Sequence, residues 1–394
     1  MPKTLLNKIN FTSYKKFAGT EFLEIRPVTI LVGKNSSGKS SITKLFPMLR
    51  RSLSDFSLKG PLSYKNDDVE LSSSFQGLSH NGYSTGLAFG INLTNGINIQ
   101  VELVAGKKGE LIASVYNLTW KGKTYTLKLK SNQETYACLE PLKEYKVSDL
   151  SGFIHRELFK DLELSTDFPQ DIDYIGPLRK MPERTLTSNG TDKYNYVGKD
   201  GINAYSMLYW DDTLIKKVSL WFEENFDSKV NIKSLTEPNS YQILFNKPYM
   251  GEYEVNIVDE GMGIGQVFPI IVRCLNKIEG SIIAIEQPEL HLHPAAHESL
   301  AKLFATTSKE NNHSYIVETH SANLLLGIQE AVVDSNIDFS SDDVIIYFVD
   351  EDESGSYLKQ INIDENGMLD DWPEGVFNES YEIISRINRK HKKL

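Results

Sequence analysis

Leu31-Val-Gly-Lys-Asn-Ser-Ser-Gly-Lys-Ser-Ser41 is the stretch whose reading decides the fold. It has the form G-x-x-x-x-G-K-S, with Gly33, Gly38, Lys39 and Ser40 at the fixed positions. Before it runs Pro27-Val-Thr-Ile-Leu-Val32, short, apolar and β-branched, which suits a buried strand. After it, Ile42, Leu45, Phe46 and Leu49 recur at helical spacing within Ser40–Leu53. Strand, glycine loop and helix are the context in which this motif cradles phosphate. Gly33 and Gly38 let the backbone curl, so that N–H groups along Lys34, Asn35, Ser36 and Ser37 point inward. The helix N-terminus at Lys39, Ser40 and Ser41 adds partial positive charge. Lys39 is expected to reach the β- and γ-phosphates, and the Ser40 hydroxyl to ligate Mg2+. On these residues alone the site is one for ATP or GTP.

The chain has 394 residues, room for one large domain or about two ordinary ones. It is 40% hydrophobic and 24% charged, as soluble globular proteins are. A formal net charge of −11 argues against a chain-wide nucleic-acid footprint and leaves room only for a local basic patch. Cys138 and Cys274 lie far apart without C-x-x-C spacing, so a reduced, cytoplasmic chain is expected. No apolar run approaches the ~18–20 residues that span a bilayer, so no membrane partner is expected. The start, Met1-Pro-Lys-Thr-Leu-Leu6, is soon interrupted by Asn7 and Lys8 and does not read as a signal peptide.

Two strand-like runs, Lys3–Phe11 and Glu21–Val32, flank a polar turn at Ser13–Lys16 and lead into the glycine loop. Residues 54–80 are polar and Ser-rich and read as a loop or lid. Alternating runs at Tyr83–Leu93, Ile97–Leu103, Leu111–Trp120 and Thr124–Lys130, separated by turns such as Asn95-Gly96, predict an antiparallel meander. Ser148–Leu164 reads as helical, Asp173–Arg179 as a strand entering a turn, and Leu214–Phe226 as a helix. Strands follow near Val230–Ile232 and Ser240–Leu244. Late in the chain, Ser281–Ile285, Ser314–Glu318 and Asp343–Val349 are buried-strand runs with helices between them, among them Ala295–Thr306. That alternation predicts a parallel sheet that must include the loop strand. The expected fold is α/β: a mostly parallel core sheet, an antiparallel β-subdomain and a helical/mixed insertion. Residues 1–55 and 255–394 would form a discontinuous nucleotide domain, with 56–147 as the β-subdomain and 148–254 as the insertion.

Glu286 follows its apolar strand at once, in Glu286-Gln-Pro-Glu-Leu-His-Leu-His-Pro294. A carboxylate at a strand's C-terminal end beside a phosphate loop holds the Mg2+ between β- and γ-phosphates. Glu289 is the other acid in reach and could orient attacking water. His291, His293 and His297 have H-x-H-x-x-x-H spacing, which also admits a zinc reading. His320, just past the next strand, is placed to meet a γ-phosphate.

Together, the glycine loop, the Glu286–Pro294 run and Val317-Glu-Thr-His-Ser321 resemble the ABC-type AAA ATPases related to the OLD proteins, cousins of the SMC and RecF ATPases. Tyr174-Ile-Gly-Pro-Leu-Arg179, Pro182-x-Arg184, Asp259-Glu-Gly-Met-Gly-Ile-Gly-Gln-Val-Phe-Pro269 and Asp371–Phe377 resemble a stand-alone bacterial subfamily of that group. The resemblance implies a P-loop fold of ABC type, with ATP and Mg2+ as cofactors. It implies that Asp259–Gln266 is a signature segment, whose Gly261, Gly263, Gly265 and Gln266 meet the γ-phosphate of ATP held by a second subunit. The family more often has Ser at Gly265. Gln76 would be the Mg2+-sensing glutamine, His291–Pro294 the D-loop without zinc, and His320 the switch histidine.

One position departs from the pattern. In transporter-type relatives an acidic pair precedes the proline, and its second member is the base. Here the pair is Glu286-Gln287, and a glutamine accepts no proton as a carboxylate does. Either Glu289 serves as the base or hydrolysis is slow and the protein is an ATP-held switch. After Val349 about 45 residues remain, against ~100 for a typical domain, so the TOPRIM nuclease of OLD proteins is not expected. The resemblance implies a homodimer or higher assembly through an ATP sandwich, beside a separate nuclease or toxin effector in anti-phage defence. A DNA-binding repair ATPase is the alternative. It would use Lys121, Lys123, Lys128, Lys130 and the basic tail at Arg386–Leu394.

Overall fold

The computed structural model describes residues 6–371, apart from 84, 167–170, 189–193, 248–250 and 252. The basic tail and most of the Asp371–Phe377 run lie outside the described residues. At the centre is a six-stranded sheet ordered Ile172–Ile175, Ile282–Glu286, Ser314–Glu318, Val28–Gly33, Val344–Asp352 and Gly355–Ile361. The first five are parallel and the last pairs antiparallel with its neighbour. The loop strand Val28–Gly33 is buried throughout. Leu31, Ala284 and Ile345 point into one apolar core, while Ile30, Ile285 and Ile346 point into the other. A strand covered on both faces has no polar face to show, which is why these runs read as continuously apolar.

One face packs on the helices after the glycine loop and on an eight-stranded antiparallel sheet. The other packs on Met262–Leu275, Ala295–Glu310 and Ala322–Val333. The antiparallel sheet includes the predicted meander: Ala88–Leu93, Asn98–Ala105, Leu111–Trp120 and Lys123–Leu129.

Leu6–Tyr14 and Phe17–Glu24 complete the antiparallel sheet, with Leu6–Tyr14 pairing along Ala88–Leu93. Ile172–Ile175, expected in the insertion, pairs with Ile282–Glu286 at the parallel edge. A strand's own pattern specifies its faces and leaves its partner open. Within Ser148–Leu164 only Arg156–Asp161 is α-helical, after a 3-10 turn at Val147–Asp149. There Gly152, at φ +56, turns the chain tightly against the Ser52 carbonyl. The helix after the loop is broken into Lys39–Thr43 and Leu45–Ser54. Pro47 has no N–H to return to the carbonyl of Thr43, so the ladder lapses there.

Candidate nucleotide site

The C-terminal ends of the parallel strands converge on a cavity of about 580 Å3, within the range that binds small ligands. Asn35, Ser36, Gly38, Lys39, Ser40 and Ser41 form one wall. Gln287, Glu318 and His320 form another. Gln76 and Gly77, from the segment read as a loop or lid, close a third side with the Lys15–Lys16 turn. The Lys15 N–H donates to the Leu78 carbonyl at 2.8 Å, which ties that segment to the turn.

Two glycines are required by close approach. A Cβ on Gly33, at φ +148, would lie 2.2 Å from the Val349 carbonyl oxygen. On Gly38, at φ +110, it would lie 3.0 Å from the Phe17 ring. The loop therefore packs tightly against Val344–Asp352 as it curls. Gly33 and Lys34 act through their carbonyls, which accept from Lys39 Nζ at 2.8 and 2.6 Å. Burial lowers the Lys39 pKa, opposed by the nearby Glu318 charge. Ser37 Oγ is buried with no hydrogen-bond partner among the described residues.

Glu286 is buried and does not face the cavity. Its Oε1 accepts from Thr43 Oγ1 at 2.5 Å and from the Tyr174 hydroxyl at 2.8 Å. Ser40 Oγ donates instead to Glu318 Oε1 at 3.0 Å. Glu318, which the sequence reading passed over, lies beside Glu286 in strand register. Burial and then the Glu286 charge hold its carboxyl above the usual carboxylate range. The available sequence signal was an acid ending a mostly apolar run, Tyr315-Ile-Val317, the kind of feature that singled out Glu286.

Glu289 is not in the cavity wall. Its Oε1 accepts from Thr319 Oγ1 and from the His320 N–H, both at 2.8 Å, so it tethers the histidine loop. Its other oxygen, Oε2, is buried with no hydrogen-bond partner among the described residues. Burial and then Lys39 hold the His320 imidazole below its ordinary pKa. His297 Nδ1 lies 2.7 Å from Ser321 Oγ, and His293 Nδ1 accepts from the Ala295 N–H at 3.3 Å. These pairings employ the histidines locally.

Gly261, Gly263, Gly265 and Gln266, at the start of helix Met262–Leu275, do not line the cavity of their own chain. Gly261 is exposed, and Gly263 packs against the His291 carbonyl. A Cβ on Gly265 would come within 2.7 Å of Sδ in the flexible Met181 side chain. Gln266 is buried, accepts from the Arg179 N–H at 3.0 Å and donates to the Arg179 carbonyl at 2.6 Å. Its side chain is committed inside the chain.

Arg179, also missed from sequence, is the hub between these segments. Its guanidinium donates to the carbonyls of Gly176 (2.9 Å), Gln266 (3.0 Å), Glu286 (3.0 Å) and Gln287 (3.2 Å). It thus fastens the signature helix to the acidic strand end.

The residues present fit a nucleotide's phosphates and a divalent cation: a glycine cradle, an ammonium resting on its own loop, and a buried carboxylate oxygen, Glu318 Oε2, without a partner. Glycine loop, flanking strand order and acidic strand ends define a P-loop ATPase fold of ABC type. Residues 28–326 match the family described as "AAA domain, putative AbiEii toxin, Type IV TA system", and the chain belongs to that family. Residues 339–382 match a second description, "Protein of unknown function (DUF3696)". No curated protein sequence matches the chain. Among solved structures, an Smc head bound to the C-winged helix domain of ScpA has a TM-score of 0.50 at 12% identity, covering 92% of this chain and 100% of that one. The SMC head domain from Thermotoga maritima has a TM-score of 0.47 at 14% identity, covering 90% and 98%. The Smc head with an extended coiled coil from Pyrococcus furiosus, bound to the C-terminal domain of ScpA, has 0.48 at 11% identity, covering 98% and 100%. Among the described residues no helix is long and apolar enough to cross a membrane.

Proposed function

We propose that this chain binds and hydrolyses ATP with Mg2+ in the cytoplasm, as a homodimer or higher homo-oligomer that sandwiches the nucleotide. Asn35–Ser41 hold the phosphates of one ATP, and Gly261 and Gly263 of another copy complete its site. The carrying observation is the separation of the signature helix start from its own chain's cavity, with Gly261 left exposed. A glycine-rich helix start facing outward suits a phosphate brought by another molecule. Nucleotide-driven assembly then serves as a sensor or scaffold for a separate effector, a nuclease or toxin, in bacterial anti-phage defence. The family's description, which names a toxin–antitoxin system, supports that placement.

Turnover is slow in this reading, because Gln287 supplies no carboxylate and Glu289 is engaged with Thr319 and His320. The DNA-binding alternative has less support: Lys123 and Lys130 already pair with Glu140 and Glu144. The test is ATP binding by calorimetry to the whole protein. Lys39→Ala is expected to abolish it, and unchanged binding refutes the site.

A further inference from the structure

We propose that a second cleft, in the antiparallel sheet, binds a small amphipathic acid. Its apolar body lies against Leu58, Leu111 and Leu150, a polar atom meets the Tyr136 hydroxyl, and its acidic group sits beside Lys59 and Lys146. This cleft shares no lining residue with the nucleotide cavity.

Strand register makes the cleft. Leu111–Trp120 pairs with Lys123–Leu129 only from Val115 onward, so Leu111–Ser114 has no strand partner on that side among the described residues. Thr135–Cys138 pairs with the end of Lys123–Leu129, with Tyr136 opposite Leu129. A notch is left between Leu111–Ala113 and Gln133–Tyr136, and both stretches line the cleft. Two strand spacings make it roughly 10 Å across. Residues from Phe56–Gly60 and Val147–Ser151 flank it. These flanks are tied together, since the Gly152 N–H donates to the Gly60 carbonyl and Ser151 Oγ to the Asp55 carbonyl, both at 3.0 Å. Gly60 closes on the strand start, where an added Cβ would lie 2.3 Å from the Leu111 carbonyl oxygen. The cleft holds about 760 Å3, a size that takes a small molecule.

Three features of its wall define the occupant. Leu58, Leu111, Ala113 and Leu150 are buried and apolar, and Phe56 at the rim is 48% exposed. Surface of this kind suits an apolar body. Tyr136 is fully buried, and its hydroxyl is the one buried side-chain polar atom of this wall without a hydrogen-bond partner among the described residues. Tyr116 and Tyr145, which pack with it around His155, are both satisfied, by the Phe153 carbonyl at 3.0 Å and by Asp161 at 2.8 Å. A buried phenol left alone calls for a polar atom from an occupant. Lys59 and Lys146 are exposed, and their ammonium groups enter no ion pair among the described residues. Arg156 is the third cation of the wall, against two acids, Glu110 and Glu134. Glu110 already accepts from the Lys108 N–H at 2.8 Å. That balance favours an anionic group over a cationic one.

The probe is anilinonaphthalene sulfonate, an apolar ring system with one acidic group, titrated into full-length protein and followed by its fluorescence. Wild type should bind a single dye per chain and retain it at saturating ADP. Combining Lys59→Glu with Lys146→Glu, both at exposed positions, should weaken the dye about tenfold. Lys121→Glu, at an exposed lysine off this wall, should leave it unchanged. Tyr136→Phe removes only the hydroxyl and should weaken the dye about threefold or more. No fluorescence gain in wild type, full affinity in the double variant, or an equal loss in Lys121→Glu overturns the inference. So does a Tyr136→Phe chain that binds the dye as tightly as wild type or tighter. Displacement of the dye by ADP puts it in the nucleotide cavity, which overturns this inference and leaves the nucleotide site standing.

Discussion

Replacing Arg179 by Ala should weaken the whole nucleotide half of the molecule, although Arg179 touches no acid. Its side chain is 3% exposed and donates to four backbone carbonyls from three segments. Burial pushes the guanidinium down to about 10, opposed by the Glu289 charge, so it remains cationic at neutral pH. A hydrogen bond from a charged donor contributes roughly 1.5–3 kcal/mol net. Four such bonds are not additive, since they share one planar fork and water enters the vacated space. A loss of about 4 kcal/mol is expected, near the upper end for single substitutions. Arg179→Lys should recover less than half, because an ammonium cannot reproduce the fork. Urea unfolding followed by tryptophan fluorescence measures both. A loss below about 1 kcal/mol for Arg179→Ala would refute the view that this side chain fastens the signature helix to the acidic strand.

Gly33→Ala meets the Val349 carbonyl at 2.2 Å and should destabilise by about 2–3 kcal/mol, whereas Gly109→Ala, at φ +82 with open space, should cost only ~1 kcal/mol in the same urea assay. Equal losses at the two positions would show that close packing is not what Gly33 provides. His313 is buried between the Tyr315 hydroxyl and the Ile278 carbonyl, and burial, with Arg273 nearby, pushes its imidazole down to about 3. Below the ordinary ~6.5, the unfolded chain takes up a proton that the folded chain refuses, so stability falls as pH drops. Between pH 6 and 4, wild type should lose up to about 1.4 kcal/mol per pH unit relative to His313→Gln, and parallel curves would contradict this. Steady-state turnover should rise in Gln287→Glu, which restores a carboxylate to the cavity wall, and a rate no higher than wild type would remove Gln287 as the cause of slow hydrolysis.

Much of the architecture was legible because burial leaves a local imprint. Val28–Gly33 and Ile282–Glu286 are largely apolar because they are buried throughout, and Asn98–Ala105 alternates because one face is open. Partnership is not local. Nothing in Leu6–Tyr14 says that it pairs with Ala88–Leu93 as well as with the Phe17–Glu24 strand that follows it. The site divides in the same way. Lys39 and Ser40 are named by their spacing from Gly33, which fixes a single continuous loop. Glu318 and Arg179 act across the sheet, and their roles depend on which strands lie side by side. Glu286 illustrates the limit best: its position at a strand end was readable, but the Thr43 and Tyr174 donors that occupy it come from remote segments.

The central claim is a nucleotide site shared between copies of the chain, and sedimentation velocity of the full-length protein tests it most directly. With Mg2+ and saturating ATP, wild type should shift from monomer to dimer or larger, while Lys39→Ala stays in its nucleotide-free state. A wild-type chain that binds ATP and sediments unchanged would contradict the account.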